Sequence, residues 1–288
     1  MNLENWHQSG NYFDYQDNKI FYHLSAKSDE ILLCLHGFPS ASFDYHKIWD
    51  ELTKQFSVLA FDMIGYGFSA KPTDFDYTTF QQIDVLQALL EHLQIKKIHI
   101  LAHDYGNTII QELLARAEEN RLNFTIESIV MLNGALFPET HRPILAQKIL
   151  ISPIGFLFGK LIPDSRFKQS LASIFGQETQ PTETELNDFV TLFRYNNGKK
   201  IAHKLIRYMR ERAIYRERWV GALARTTVSL RFINGLADPV SGAHLVKRFR
   251  EVLPHTDIIE LVDIGHFPHF EVPHKTLKYF FEFHNQIQ

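Results

Sequence analysis

Apolar residues in this chain follow two rhythms, and the alternation between them sets the architecture. Short unbroken runs, Ile31–Leu35, Val58–Phe61, Ile98–Ala102 and Ile129–Leu132, stop at His36-Gly37, Asp62, His103-Asp104 and Asn133-Gly134 respectively. Such runs mark central parallel strands, because both faces of those strands are buried. Between them the apolar positions recur at helical spacing: Ile83, Leu86, Leu89, Leu90 and Leu93 in one stretch, Ile109, Ile110, Leu113, Leu114 and Ala117 in another. Strands alternating with helices predict a doubly wound, mostly parallel sheet of the α/β class. Upstream, Tyr12–Ser25 reads as a hairpin, two aromatic-rich runs broken at Asp17-Asn18.

The alternation stops after Ala135 and resumes at Val228–Ile233. The intervening stretch has only helical periodicity: Ile144, Leu145, Ile149 and Leu150; Leu186, Phe189, Val190 and Phe193; Ile201, Leu205 and Tyr208. Strand and helix patterns then return through Asp238, Ala243–Val252, Ile258–Val262 and Thr276–His284. With no internal repeat and no Gly/Ser linker, a second unit has to be nested in the first. The expected organisation is an α/β core from residues 1-136 and 223-288, with a helical cap from residues 137-222 inserted between two strands.

Composition narrows the function classes. At 288 residues and 45% apolar content the chain can bury a large core. Its 30 basic and 33 acidic residues balance to −3, which offers no electrostatic footprint for nucleic acid or an acidic membrane. The single cysteine, Cys34, excludes an intramolecular disulfide and a cysteine-based zinc site, and its place in a buried run makes it a packing residue. The start is polar and acidic rather than signal-like, and no apolar run approaches the roughly 18 residues that span a bilayer. A cytoplasmic protein acting on a small-molecule substrate, as a monomer or homodimer and without cofactor, is the expectation.

In open parallel sheets the reactive residues sit at the carboxyl ends of strands. Asp104, Asp238 and His266 occupy such ends in that chain order. In Leu101-Ala-His-Asp-Tyr-Gly-Asn107, Ala102 and Gly106 flank Asp104 two residues away on each side, the spacing of a nucleophile elbow, where a larger side chain would clash. The alternative role for Asp104 is to cap the helix that follows. A carboxylate is ionised at neutral pH, needs no base to deprotonate it, and attacks carbon to give an alkyl ester. Hydrolysis of that ester then needs a base and an orienting acid. His266 is the expected base, with His269 its rival, and Asp238 is the expected acid. The turn His36-Gly-Phe-Pro39 can present the Phe38 N–H, together with that of Tyr105, to a developing oxyanion.

Two other motifs are set aside. Gly65-Tyr-Gly-Phe-Ser-Ala70 fits a dinucleotide fingerprint, but Lys71-Pro72-Thr73 follows where that motif requires a helix to open. The 15 histidines show no His-Glu-x-x-His or equivalent spacing, so no metal site is expected.

Through His36-Gly-Phe-Pro39, Asp62–Ser69, His103-Asp-Tyr-Gly106, Asp238-Pro239 and Gly265-His266, the sequence resembles the α/β-hydrolase superfamily, in the branch of epoxide hydrolases and haloalkane dehalogenases. Asn133–Pro143 and Arg218–Leu223 look closer still to the mesoderm-specific transcript protein group. The resemblance implies an eight-stranded sheet, the triad Asp104, Asp238 and His266, and substrate contacts from His36, Phe38, Tyr105 and the cap. Dehalogenases of the branch place a Trp directly after the nucleophile, where this chain has Tyr105. Epoxide hydrolases polarise the ring oxygen with two cap tyrosines. Tyr208 or its competitor Tyr215 fits the second, and no Tyr between Tyr105 and Tyr195 fits the first. Arg218 and Trp219, near the end of the cap, are either hinge packing or pocket wall.

Overall fold

A computed structural model describes residues 1–25 and 28–287. Eight strands, β1 Asn11–Tyr15, β2 Asn18–Leu24, β3 Ile31–Leu35, β4 Ser57–Phe61, β5 Lys97–Ala102, β6 Thr125–Met131, β7 Ser229–Gly235 and β8 Asp257–Leu261, form one open sheet in the order β1-β2-β4-β3-β5-β6-β7-β8. β1 and β2 form the antiparallel hairpin and β2 pairs antiparallel with β4, while the other neighbours run parallel. β4 is buried at every residue, as its unbroken apolar run requires.

The helices divide between the two faces of the sheet and an insert. Helix α1, Leu3–Ser9, is an element the sequence reading does not contain. Asn2 caps it by accepting from the Asn5 N–H at 2.8 Å, and fully buried Trp6 pins it against Phe43 and Trp49. Helix α2, Thr79–His92, opens with a Thr78/Gln81 capping box. Helix α3, Tyr105–Glu118, follows β5 directly and is buried from Tyr105 through Arg116. Helices α4 Leu145–Leu150, α5 Gly155–Leu161, α6 Asp164–Ala172, α7 Glu183–Arg194, α8 Tyr208–Ile214 and α9 Arg216–Arg225 lie between β6 and β7. Helices α10 Ala243–Val252 and α11 Pro273–Ile287 complete the core.

Helix α9 does not belong with the insert it adjoins. β6 and β7 are parallel neighbours, so the chain leaves the carboxyl end of one and must run back along the sheet to begin the other. α9 is that crossover. It packs along α3, where Glu112, with its side chain wholly buried, accepts from Arg218 Nε at 2.6 Å and Trp219 Nε1 at 2.8 Å. The boundary expected at residue 222 falls inside this helix. Trp219 is therefore a core residue between α9 and α3, which corrects the expectation that it contacts substrate.

Candidate active site

Asp104 sits where β5 turns into α3, at φ 46° and ψ −105°, a conformation that costs a non-glycine residue about 1–3 kcal/mol. Its surroundings hold it there. The Asp104 N–H donates to Asn133 O at 2.7 Å, and a Cβ on Gly106 would stand 2.5 Å from Leu35 O, so only glycine lets α3 start this close to β3. The side chain makes no capping bond to α3. Instead Oδ2 accepts from the Phe38 N–H at 3.0 Å. Oδ1 has no hydrogen-bond donor among the described residues, and faces His266 Nε2 at 3.9 Å and Arg212 Nη2 at 4.0 Å.

His266 Nδ1 pairs with Asp238 Oδ2 at 2.7 Å. Asp238 lies in the loop after β7 and is held on both oxygens. Oδ1 accepts from the Val240 N–H at 2.8 Å, and Oδ2 accepts from Ser241 Oγ and from Asn133 Nδ2. Burial disfavours the charge on His266, but the Asp238 charge and hydrogen bond, with the Asp104 charge, outweigh it and push the imidazole up to about 9. For Asp238, burial is likewise outweighed by protonated His266 and the donors around it, so its carboxyl falls below the usual range. The three residues reach the carboxyl edge of the sheet from both sides of the insert.

The rival histidine lies behind this row. His269 is fully buried, stacks on Tyr45, and is pushed down to about 3 by burial and then by the charge on His266. Among the described residues neither of its nitrogens has a hydrogen-bond partner. With His103 and Asp44 it brings three potential ligand atoms within 4.8 Å of one another. Burial lowers His103 and raises Asp44, so it disfavours the charged form of each.

The other expected contacts separate into two groups. Phe38, Tyr105 and Tyr208 gather around Asp104: the Tyr105 and Tyr208 rings stack at 4.4 Å, and Phe38 lies 6.1 Å from Tyr208. The Tyr208 hydroxyl is buried without a hydrogen-bond partner among the described residues, and burial followed by the Asp104 charge keeps it protonated. His36 and Tyr215 stand apart. His36 pairs with Gly37 O through Nδ1 and accepts from the Met63 N–H at 3.0 Å through Nε2, so it ties the Phe38 turn to the loop after β4 instead of reaching a substrate. Tyr215 packs on Phe80 and Trp219, outside the cavity. The Gly65–Ala70 turn opens no helix; Asp62 accepts from the Ser42 and Phe68 N–H groups and braces the turn.

Sequence reasoning missed Asn133, His141 and Arg212. Asn133 ends a strand run and carried a visible signal, a polar residue at a carboxyl edge. Arg212, only 2% exposed, donates through Nε to Thr108 Oγ1 at 2.7 Å and lies over the Tyr208 ring at 4.7 Å. Beside His266 opens a cavity lined by Phe38, Ile144, Leu150, Phe167, Ile174 and His266 itself, among others. Its apolar lining suits a small-molecule site.

A family model described as the alpha/beta hydrolase fold matches residues 30–273. The chain belongs to that family. Over 299 residues this α/β hydrolase is 41% identical to the mesoderm-specific transcript homolog proteins of Bos taurus and Homo sapiens, each alignment taking in 99% of this chain and 88% of the relative. Among solved structures, the haloalkane dehalogenase DbeA from Bradyrhizobium elkani superposes with a TM-score of 0.81 at 22% identity, covering 97% of this chain and 98% of that one, a likeness of fold. No helix among the described residues is long and apolar enough to cross a membrane.

Proposed function

We propose that this α/β hydrolase uses Asp104 as a nucleophile and opens epoxides or similar small apolar electrophiles through an alkyl-enzyme ester. The observation that carries the reading is the unequal treatment of the two Asp104 oxygens. Oδ2 rests on the Phe38 N–H, while Oδ1 has no donor among the described residues and lies 3.9 Å from Nε2 of His266, a residue that lines the cavity. Oδ1 attacks the ring carbon, the carbon–oxygen bond breaks, and its electron pair leaves on the ring oxygen, which takes its proton from Tyr208. The Asp104 charge that helped hold a proton on His266 is then gone, and His266 releases that proton to restore Tyr208. Neutral His266 next draws a proton from water, the hydroxide adds to the Asp104 carbonyl carbon, and the oxyanion forms on Oδ2 against the Phe38 N–H. Collapse releases the diol and returns Asp104 as a carboxylate.

The unidentified first cap tyrosine does not stop this chemistry, because Tyr208 already supplies a hydroxyl with a proton to give. Tyr105 after the nucleophile counts against a dehalogenase, since it offers no indole N–H to a halide. The test is trapping. His266→Gln incubated with 1,2-epoxydecane is expected to gain the mass of the epoxide on the peptide containing Asp104, and Asp104→Asn is expected to lose turnover by about 10³-fold or more. Unchanged turnover by Asp104→Asn would overturn the reading.

A further inference from the structure

Arg212 has more hydrogen-bonding capacity than the protein uses. Its Nε is satisfied by Thr108, but among the described residues neither Nη1 nor Nη2 has an acceptor. Its neighbour Glu211 turns away, accepting from the Thr79 N–H at 2.9 Å and from the Thr79 hydroxyl at 2.7 Å. The one carboxylate beside the guanidinium, among the described residues, is Asp104, at 4.0 Å and without a hydrogen bond. That carboxylate is also the group consumed when the ester forms, which would leave a buried cation with no anion next to it. Two more polar groups without a hydrogen-bond partner among the described residues lie nearby: the Tyr208 hydroxyl and half-buried His141, whose imidazole is pushed down to about 3 by burial and then by the charges on Arg212 and His266.

From this geometry we infer that Arg212 makes the space beside Asp104 a receptor for a carboxylate, so that the electrophile taken by Asp104 is a fatty molecule carrying a carboxylate beside its reacting carbon. This rests on the aspartate-ester reading. A guanidinium presents two parallel N–H donors to one carboxylate and does not give up its proton, so it fits a group that remains an anion through the reaction. An alkoxide, which must be protonated, is served by Tyr208 instead. Substrate bonded at Oδ1 places its neighbouring atoms on the side where Arg212 Nη2 already lies, and an apolar tail extends between Leu150, Phe167 and Ile174.

The test has a binding arm and a turnover arm, both with the full chain. In an Asp104→Asn background, decanoate is expected to bind about tenfold or more tightly than decanol, and adding Arg212→Met is expected to bring that ratio near one. In turnover, 2,3-epoxydecanoate is expected to exceed 1,2-epoxydecane in kcat/KM by a similar factor, and Arg212→Met is expected to erase the preference. Arg212→Lys keeps the charge without the planar fork; it is expected to restore part of the preference, and it carries the comparison if Arg212→Met does not unfold cooperatively. Equal binding of decanoate and decanol, or a preference that survives both substitutions, overturns the proposal. If His266→Gln traps neither epoxide while decanoate binding still depends on Arg212, the ester mechanism falls and the receptor stands. Trapping of the neutral epoxide with no carboxylate preference is the reverse result.

Discussion

At the scale of single residues, the site depends on a side chain that performs no chemistry. Asn133 accepts from the Gly235 N–H at 2.6 Å, donates to Gly235 O and Asp238 Oδ2, and through its carbonyl fixes the Asp104 N–H. It thus joins the strand that leads into Asp104 to the strand that leads into Asp238. Asn133→Ala orphans buried groups costing about 1–3 kcal/mol each, so a loss of roughly 2–4 kcal/mol is expected in urea unfolding, with kcat falling as Asp238 loses its orientation. The pH dependence follows from His266. Its imidazole is raised from 6.5 to about 9, so its contribution to stability is complete below pH 6.5 and is lost as pH rises through 9. His141 and His269, lowered to about 3, act with the opposite sign, and their contribution fades as pH falls from 6.5 toward 3. Melting temperature against pH is expected to decline on the alkaline side in the wild type and to flatten there in His266→Gln. Asp104 and His266 were legible in the sequence because small flanking residues and strand ends announce them. Arg212 was not, because it is one of five arginines from Arg207 to Arg218 with no spacing to single it out, and packing makes it the one of the five that is fully buried.

At the scale of elements, the strands were readable, and the boundary expected at residue 222 falls inside α9. Central strands declare themselves by unbroken apolar runs, and β3 to β8 fall within a few residues of them. The amphipathic pattern of α9 resembles that of the insert beside it, and no glycine or proline separates α8 from α9 to mark the change. What distinguishes α9 is Glu112 on α3, a buried carboxylate accepting from Arg116, Arg218 and Trp219. Removing one partner of a buried ion-pair network costs about 3–5 kcal/mol. Glu112→Ala is expected to destabilise by about that much in urea unfolding, while folded protein keeps its kcat/KM within about threefold, because the network lies along the crossover and away from Asp104. A larger loss of activity than of stability would show that α9 belongs to the site after all.

At the scale of the whole molecule, helix α1 shows the limit of reading in the other direction. It is short and polar, and a single tryptophan whose partners are distant in sequence decides where it sits. The insert packs onto the core through Phe175, Phe189, Phe267 and Phe270, and the Ile174 carbonyl receives the His266 N–H at 2.8 Å. Loosening that seam is expected to reach His266, the base proposed above: Phe189→Ala should cost about 3–5 kcal/mol and lower kcat as well as stability, measured by urea unfolding and steady-state rates. The way the chain is threaded divides inheritance between the two parts. Asp104, Asp238 and His266 come from loops of the sheet, whereas His141, Tyr208 and Arg212 come from the excursion between Met131 and the start of α9. That excursion begins and ends at the same edge of the sheet, so it behaves as a cassette. Exchanging it would set a different lining over the same three sheet-loop residues, so a scaffold threaded this way can vary what it admits without altering the loops beneath.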